Sequence, residues 1–313
     1  MPQPIILDGG MSRELIRLNA PFRQPEWSAL AVIEAPHLVR QVHHEFIVAG
    51  AEVVTTNSYA LVPFHIGDER FWERGQELSG LAGKLAREAA HAAEKDSGRK
   101  VLVAGSLPPV FGSYQPERFR KDEAGKYLDV LVRGSEPYVD IWLGETLSLI
   151  DEAKAVVDAV RGTGKRVWIA FTIADEDSDD GYRRPRRLRG GETVTEAVGW
   201  AVQSGKVEAL LFNCSRPEVM KAAVRGAVGV ARERGSKMKL GVYANAFEQS
   251  REDAEAANVG ISETRKDLGV EKYTIFAREW VREGASIVGG CCGIGIQHIR
   301  SLADAFQERG ERQ

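Results

Sequence analysis

Cysteine is scarce in this chain: three residues among 313. So few thiols exclude the dense disulfide framework that staples small secreted domains. The sequence begins "MPQPIILDGGMSREL", with no basic segment followed by an apolar stretch, so no secretion signal is read there. Both points fit a reducing cytoplasm. Long hydrophobic runs are missing as well, and with no run of about 18 apolar residues nothing is expected to span a bilayer. An excess of one charge is also lacking. Lys and Arg total 42 against 45 Asp and Glu, a net charge of −3, which argues against nucleic acid or an anionic membrane as the main partner. None of the six histidines belongs to an HExxH pattern, so that hydrolytic zinc signature is absent. His43 and His44 fall in the middle of a helical stretch and read as scaffold or surface. No long apolar surface stretch marks an oligomer interface.

What is present is a rhythm. A short β-branched or aliphatic run followed by a helical pattern recurs eight times. The runs are "PIILDG" (4–9), "AEVVTTNS" (51–58), "KVLVAGSL" (100–107), "YVDIWLGET" (138–146), "RVWIAFTI" (166–173), "VEALLFNC" (207–214), "KLGVYAN" (239–245) and "ASIVGGCC" (285–292). Each is nearly continuous in apolar residues, as expected for parallel strands buried on both faces. Between them, "PHLVRQVHHEFIVAG" places Pro36 at a first helical position. Leu38, Val39, Val42 and Phe46 lie on one face, and Gly50 ends the helix. After the fourth run, Ser148 with Asp151 gives an N-terminal capping pattern, and Ala153, Val156, Val157 and Val160 follow at helical spacing. Eight β-then-α units predict an α/β fold, a (β/α)₈ TIM barrel, with a doubly wound open sheet as the alternative. No compositional break resembles a linker, so residues 1–313 read as one domain.

Three connections are long: 60–71, 108–122 and 174–191. All follow strands, on the face where such barrels keep their active sites. The basic stretch 183–189 reads most simply as a solvated loop.

Each cysteine falls at the C-terminal end of an expected strand: Cys214 on the sixth, Cys291 and Cys292 on the eighth. Adjacent cysteines make a poor disulfide with each other, since consecutive Cα atoms lie about 3.8 Å apart and disulfides usually span about 4.4–6.8 Å. On a regular strand their side chains would also diverge. Gly289, Gly290 and Gly293 would let the backbone bend so that both sulfurs face one point. A lone buried cysteine is usually just a small hydrophobe. "GGCCG" would also suit a phosphate-binding turn, although "GIGIQH" has His298 where a dinucleotide fingerprint needs glycine. Taken together, a strand-end cysteine and "GGCC" favour three thiolates around one open-cornered site, suited to catalytic zinc. Such a centre is anionic. A thiol entering the open corner would lose its proton yet stay electron-rich, which suits attack on the carbon of a cationic methyl donor.

Two carboxylates sit at other strand ends, Asp8 in "ILDGG" and Glu145 in "WLGET". Either suits an ammonium group, and either could instead be a helix cap or a fixed ion pair. Tyr59, in "TTNSY", stands where it could donate a hydrogen bond to a substrate or simply fill the core. Asn57 and Asn245 are uncharged strand-end groups.

Together these residues resemble the homocysteine S-methyltransferase family of zinc-dependent (β/α)₈ barrels. The likeness runs through "LDGGMSREL", "HHEFIVAGAEVVTTNSY", "GETLSLIDEAKAVVDAV", "FTIADEDSDDG", "LLFNCSRPE" and "IVGGCCGIGIQHI", nearly the whole chain. The spaced pair "NC" and "GGCC" is its most specific part. The resemblance implies Cys214, Cys291 and Cys292 as zinc ligands. It also implies a homocysteine pocket holding Asp8 and Glu145, with Tyr59 nearby, and methyl transfer to the homocysteine thiolate to give methionine; Asn57, at the end of the second strand, is a further substrate-binding candidate. The implied donor is a sulfonium such as S-methylmethionine or S-adenosylmethionine. Betaine, dimethylsulfoniopropionate or another thiol acceptor are alternatives, and a zinc-binding barrel without methyl transfer is the non-enzyme reading. Around the donor the sequence departs from the family pattern. It has "GSLPPVFGSYQPERF", "VYANAF" with Ala244 and Phe247 where proline and glycine are usual, and the added "YRRPRRLRGG". Phe111, Tyr114 and Tyr59 are candidate aromatic rests for a cationic donor.

Overall fold

The computed structural model describes residues 3–175, 186–247 and 264–307. Most of the 174–191 connection therefore lies outside the described residues. The expected strands all form: β1 (Ile5–Ile6), β2 (Val53–Thr55), β3 (Leu102–Leu107), β4 (Ile141–Leu147), β5 (Arg166–Phe171), β6 (Val207–Asn213), β7 (Lys239–Tyr243) and β8 (Ile287–Val288). They pair in parallel in the order β1-β8-β7-β6-β5-β4-β3-β2. The two ends of that order meet. Leu7 bridges Val53 in parallel, and the Glu52 N–H donates to the Ile6 carbonyl at 2.8 Å. The Glu52 carboxylate accepts the Ile6 N–H at 2.9 Å. The sheet is a barrel, and the open doubly wound alternative is excluded.

Helices α1 (Met11–Arg17), α2 (Ala29–Glu34), α3 (Pro36–Val48), α4 (Pro63–Ile66), α5 (Asp68–Ser97) and α6 (Lys121–Ser135) cover the first half. They are followed by α7 (Ile150–Ala159), α8 (Val194–Ser204), α9 (Pro217–Glu233), α10 (Val270–Glu283) and α11 (Ile296–Gln307). Pro36 opens α3 as expected, and Val39, Val42 and Phe46 are buried along its inner face. His43 is also fully buried there, so it is scaffold, while His44 is half-buried. The cap of α7 differs from expectation. The Glu152 carboxylate accepts the N–H groups of Ser148 (2.6 Å) and Leu149 (3.0 Å), while the buried Ser148 hydroxyl has no partner among the described residues. A longer acidic side chain reaching back satisfies two amides where a serine satisfies one. Among the described residues no helix is long and apolar enough to cross a membrane.

Burial on both faces explains the continuous apolar runs. Ile141 and Leu143, Trp168 and Ala170, and Ala209 and Leu211 pack inside the barrel. Their neighbours Trp142, Ile169, Phe171, Leu210 and Phe212 pack outward against the helices. Side chains alternate along a strand, so the inward parity continues to the C-terminal mouth. There it presents Ser106 on β3, Glu145 on β4, Asn213 on β6 and Tyr243 on β7. The core thus determines which side chains face the mouth.

Candidate metal and substrate site

The cysteine segment is held by the extended ladder of the barrel. The Cys291 N–H donates to the Ala244 carbonyl (2.9 Å), the Gly290 N–H to Asp8 (3.0 Å), and the Cys292 carbonyl accepts the Ala246 N–H (2.8 Å). The glycines act by two routes. Gly293 has φ +80°, a left-handed turn that glycine enters without steric cost. Gly290 is required for close approach, since a Cβ there would lie 2.1 Å from Ile294 Cγ2. Cys214, one residue beyond β6, has φ +49°, a conformation costing a non-glycine residue about 1–3 kcal/mol and typical of functional sites.

The three sulfurs converge: Cys214, Cys291 and Cys292 place their Sγ atoms within 4.8 Å of one another. Cys291 and Cys292 are 3.9 Å apart and not bonded to each other, as their adjacency predicts. Cys214 and Cys291, however, are joined as a disulfide across β6 and β8, a pairing the sequence reading did not anticipate. The ends of β6 and β8 flank β7 at the mouth, and the chain beyond each turns inward until the two Cα atoms are 5.7 Å apart, which puts these sulfurs within bonding reach. A disulfide sulfur is not a thiolate ligand, so only the reduced form of this cluster could hold a metal with all three sulfurs. The donor set suits a soft metal. Burial pushes the Cys292 thiol up to about 11, with nearby Glu145 adding to the effect, so a thiolate here at neutral pH needs a cation beside it.

Next to the sulfurs lies a cavity lined by both expected carboxylates, by Tyr59 and by Asn57. The Asp8 carboxylate accepts the Thr55 N–H (2.7 Å) and hydroxyl (3.2 Å). Desolvation raises its pKa to about 8 against the opposing Thr55 bonds, and the charge of Glu145 pushes the same way. Glu145 accepts from the Ser106 hydroxyl and from Tyr243 OH at 3.2 Å. Burial raises it to about 6, those two bonds holding it down. Neither carboxylate is a helix cap, and neither forms an ion pair within 4.0 Å with a described residue. Asn245 also lines the cavity, and its buried Oδ1 has no partner among the described residues. Two carboxylates and a bare amide oxygen are acceptors for a substrate that brings donors and positive charge.

Tyr59 OH bonds the Ser113 hydroxyl at 2.6 Å. Asn57 donates its Nδ2 to the Ser28 carbonyl at 3.1 Å, which ties the 18–28 loop into the cavity wall. Phe111 is not in the cavity. It packs in a cluster with Tyr127 and Phe119, ring centroids 5.3 and 6.3 Å away, beneath Arg120. The aromatic wall is instead Phe22, Trp27, Tyr59, Tyr114, Tyr243 and Phe247. Ser106, Tyr243 and Asn213 escaped the sequence reading although the strand-end parity that marks Glu145 marks them too. Trp27, Arg13 and Arg189 come from loops or a helix start and carry no periodic signal.

Comparison with known proteins agrees with this geometry. The sequence profile described as homocysteine S-methyltransferase matches residues 5–306. Homocysteine S-methyltransferase 1 of Zea mays is 28% identical, over 97% of this chain and 94% of that protein. Homocysteine S-methyltransferase YbgG of Bacillus subtilis is 26% identical, over 96% and 93%. The metallated form of the homocysteine methyltransferase MmuM from Escherichia coli shares the fold with a TM-score of 0.75. It is 24% identical, over 97% of this chain and 96% of that one. With a family match spanning nearly every described residue, this chain belongs to the homocysteine S-methyltransferase family.

Proposed function

We propose that this protein transfers a methyl group from a cationic donor to the thiol of L-homocysteine, giving methionine. The observation that carries the reading is the convergence of three cysteine sulfurs within 4.8 Å beside a cavity holding two buried carboxylates that form no ion pair among the described residues. Cys214, Cys291 and Cys292 are the residues that would hold zinc, which when bound supplies a soft Lewis acid that keeps a substrate thiol deprotonated at neutral pH. A reducing cytoplasm, which keeps Cys214 and Cys291 as thiols, is the compartment this chemistry needs.

The remaining work falls to the side chains of the cavity. Asp8 and Glu145 grip the amino acid's ammonium, and the Asn245 oxygen accepts one of its protons. Placing that charge between two carboxylates lowers both pKa values back toward the ionised form. Tyr59, fixed through Ser113, and Asn57, fixed through Ser28, shape the substrate wall. The donor's methyl-bearing cation rests against aromatic faces, where quadrupole attraction compensates its desolvation. In the transfer, the donor's bond from sulfur or nitrogen to methyl breaks and a carbon–sulfur bond to homocysteine forms. The donor leaves as a neutral thioether or amine, and the thiol proton passes to solvent. Orientation of thiol and methyl in line is the main catalytic contribution of the cavity.

The test is a donor panel. Reduced, zinc-loaded protein is incubated with homocysteine and, in turn, S-methylmethionine, S-adenosylmethionine, betaine and dimethylsulfoniopropionate. Methionine from at least one donor is expected; none from any, with methylation of a different thiol, would make the acceptor wrong.

A further inference from the structure

The outer wall of the cavity carries a feature that the ammonium pocket does not use. Arg189 lies just beyond β5, its backbone N–H bonded to the Thr172 carbonyl at 3.0 Å. Its guanidinium stacks 4.6 Å from the Tyr114 ring centre. Nη2 donates to Asp175 at 3.0 Å and Nε reaches Thr172 Oγ1 at 3.5 Å. Asp175 is itself fixed, since its other oxygen accepts the Arg216 N–H at 2.9 Å. The fork is therefore held on one edge and one face. Nη1 has no partner among the described residues, and Arg189 lines the cavity.

Position separates this group from the amino-acid end of the pocket. In the strand order β5 stands four strands from β1 in either direction, so Arg189 faces Asp8 across the mouth. Tyr114, stacked on Arg189, lines the same cavity as Tyr59 and the three cysteines. Guanidinium, aromatic ring and thiol cluster thus share one cavity. An α-amino acid's carboxylate is attached to the same carbon as its ammonium and cannot reach Arg189 while that ammonium sits at Asp8. A second substrate can. A carboxylate on the fork makes a charge-assisted pair, and a methyl-bearing cation a few bonds away then falls on the Tyr114 ring, facing the sulfurs.

We propose that Arg189 anchors the methyl donor by its carboxylate, so that the donor is a molecule carrying a carboxylate besides its cationic methyl-bearing centre. This rests on the methyl-transfer reading above and assigns the residue that holds its donor. Donors lacking the acid, such as trimethylsulfonium, lose the anchor. Homocysteine does not use Arg189.

The experiment is calorimetric donor binding to the reduced, zinc-loaded protein with L-norleucine, which has no thiol to accept the methyl group, in place of homocysteine. S-methylmethionine, dimethylsulfoniopropionate and betaine are each compared with their own carboxamide. At least one acid should bind wild type tenfold or more tightly than its amide. Arg189→Gln should abolish that preference, and Arg189→Lys, which keeps the charge but not the fork, should keep only part of it. Homocysteine affinity should stay within twofold in both variants. An acid preference that survives Arg189→Gln and Arg189→Lys, no preference in wild type for any pair, or weakened homocysteine binding would each overturn the proposal. The two readings fail separately. An Arg189-dependent acid preference without any methionine formed upholds the anchor and sinks the transfer reaction. Methionine formation with an Arg189-independent preference does the reverse.

Discussion

The side-chain amide of Asn213 makes both of its hydrogen bonds to Thr146: Oδ1 accepts the Thr146 N–H at 3.0 Å, and Nδ2 donates to the Thr146 hydroxyl at 2.9 Å. Thr146 follows Glu145 and has φ +59°, while Cys214 follows Asn213 and has φ +49°. A β-branched residue in that region is strained. The pair thus ties the residue after Glu145 to the strand that carries Cys214. Asn213→Ala leaves the Thr146 amide buried and unpaired, at about 1–3 kcal/mol. The expected outcome is a lower melting temperature together with a raised homocysteine KM; an unchanged KM would mean the clamp does not position Glu145.

Asp8 gives a proton signature. Folded, its carboxyl titrates at about 8 against an ordinary 3.8, because burial disfavours its charge. The folded chain therefore keeps, between about pH 4 and 8, a proton that the unfolded chain has lost, and this group's contribution to stability falls as pH rises through that window. An ammonium bound beside it reverses the shift and expels the proton. L-norleucine, an amino acid without a thiol, should release up to about one proton at pH 7, read from binding enthalpies in buffers of different ionisation heat. Asp8→Asn should release none, and wild type without release would remove Asp8 from the ammonium site.

Glu145 titrates at about 6 and is largely ionised at neutral pH. Glu145→Gln keeps the size of the side chain and removes its charge. The homocysteine KM should rise about tenfold to hundredfold, the worth of a hydrogen bond to a charged group, with kcat changed much less. Equal losses in kcat and kcat/KM would instead place Glu145 in the chemical step.

Gly290 tests the backbone beneath the sulfurs. A Cβ there meets Ile294 Cγ2 at 2.1 Å and Cβ at 2.4 Å, and these atoms belong to a fully buried side chain. Gly290→Ala should destabilise the fold by about 1–3 kcal/mol and lower metal affinity, because Cys291 must shift. Gly98→Ala, at the exposed end of α5 where nothing lies within 4 Å, should leave metal content intact.

Sequence patterning shows the strands and the cysteine cluster well because both depend on local signals. A parallel strand buried on both faces is a run of apolar residues, and Trp168 or Leu211 announces itself wherever the chain goes. Closure of the barrel is different. It rests on Leu7 meeting Val53 and on Glu52 reaching Ile6, contacts between residues some 46 positions apart that no window contains. The same holds for Ser106 and Tyr243 on Glu145. Asn213 stood in plain view beside Cys214, yet its partner lies 67 residues away. Arg189 sits in a basic stretch that reads as solvated charge until Asp175 and Tyr114 are seen around it.

On the reading proposed above, Cys214, Cys291 and Cys292 hold one metal whose remaining position takes the substrate sulfur. X-ray absorption at the zinc edge, on reduced protein purified without chelator, tests it most directly. About three sulfur ligands are expected at rest, the number of cysteines in the cluster, and one more after addition of L-homocysteine. A protein that retains no zinc, or a sulfur count that homocysteine leaves unchanged, would contradict it.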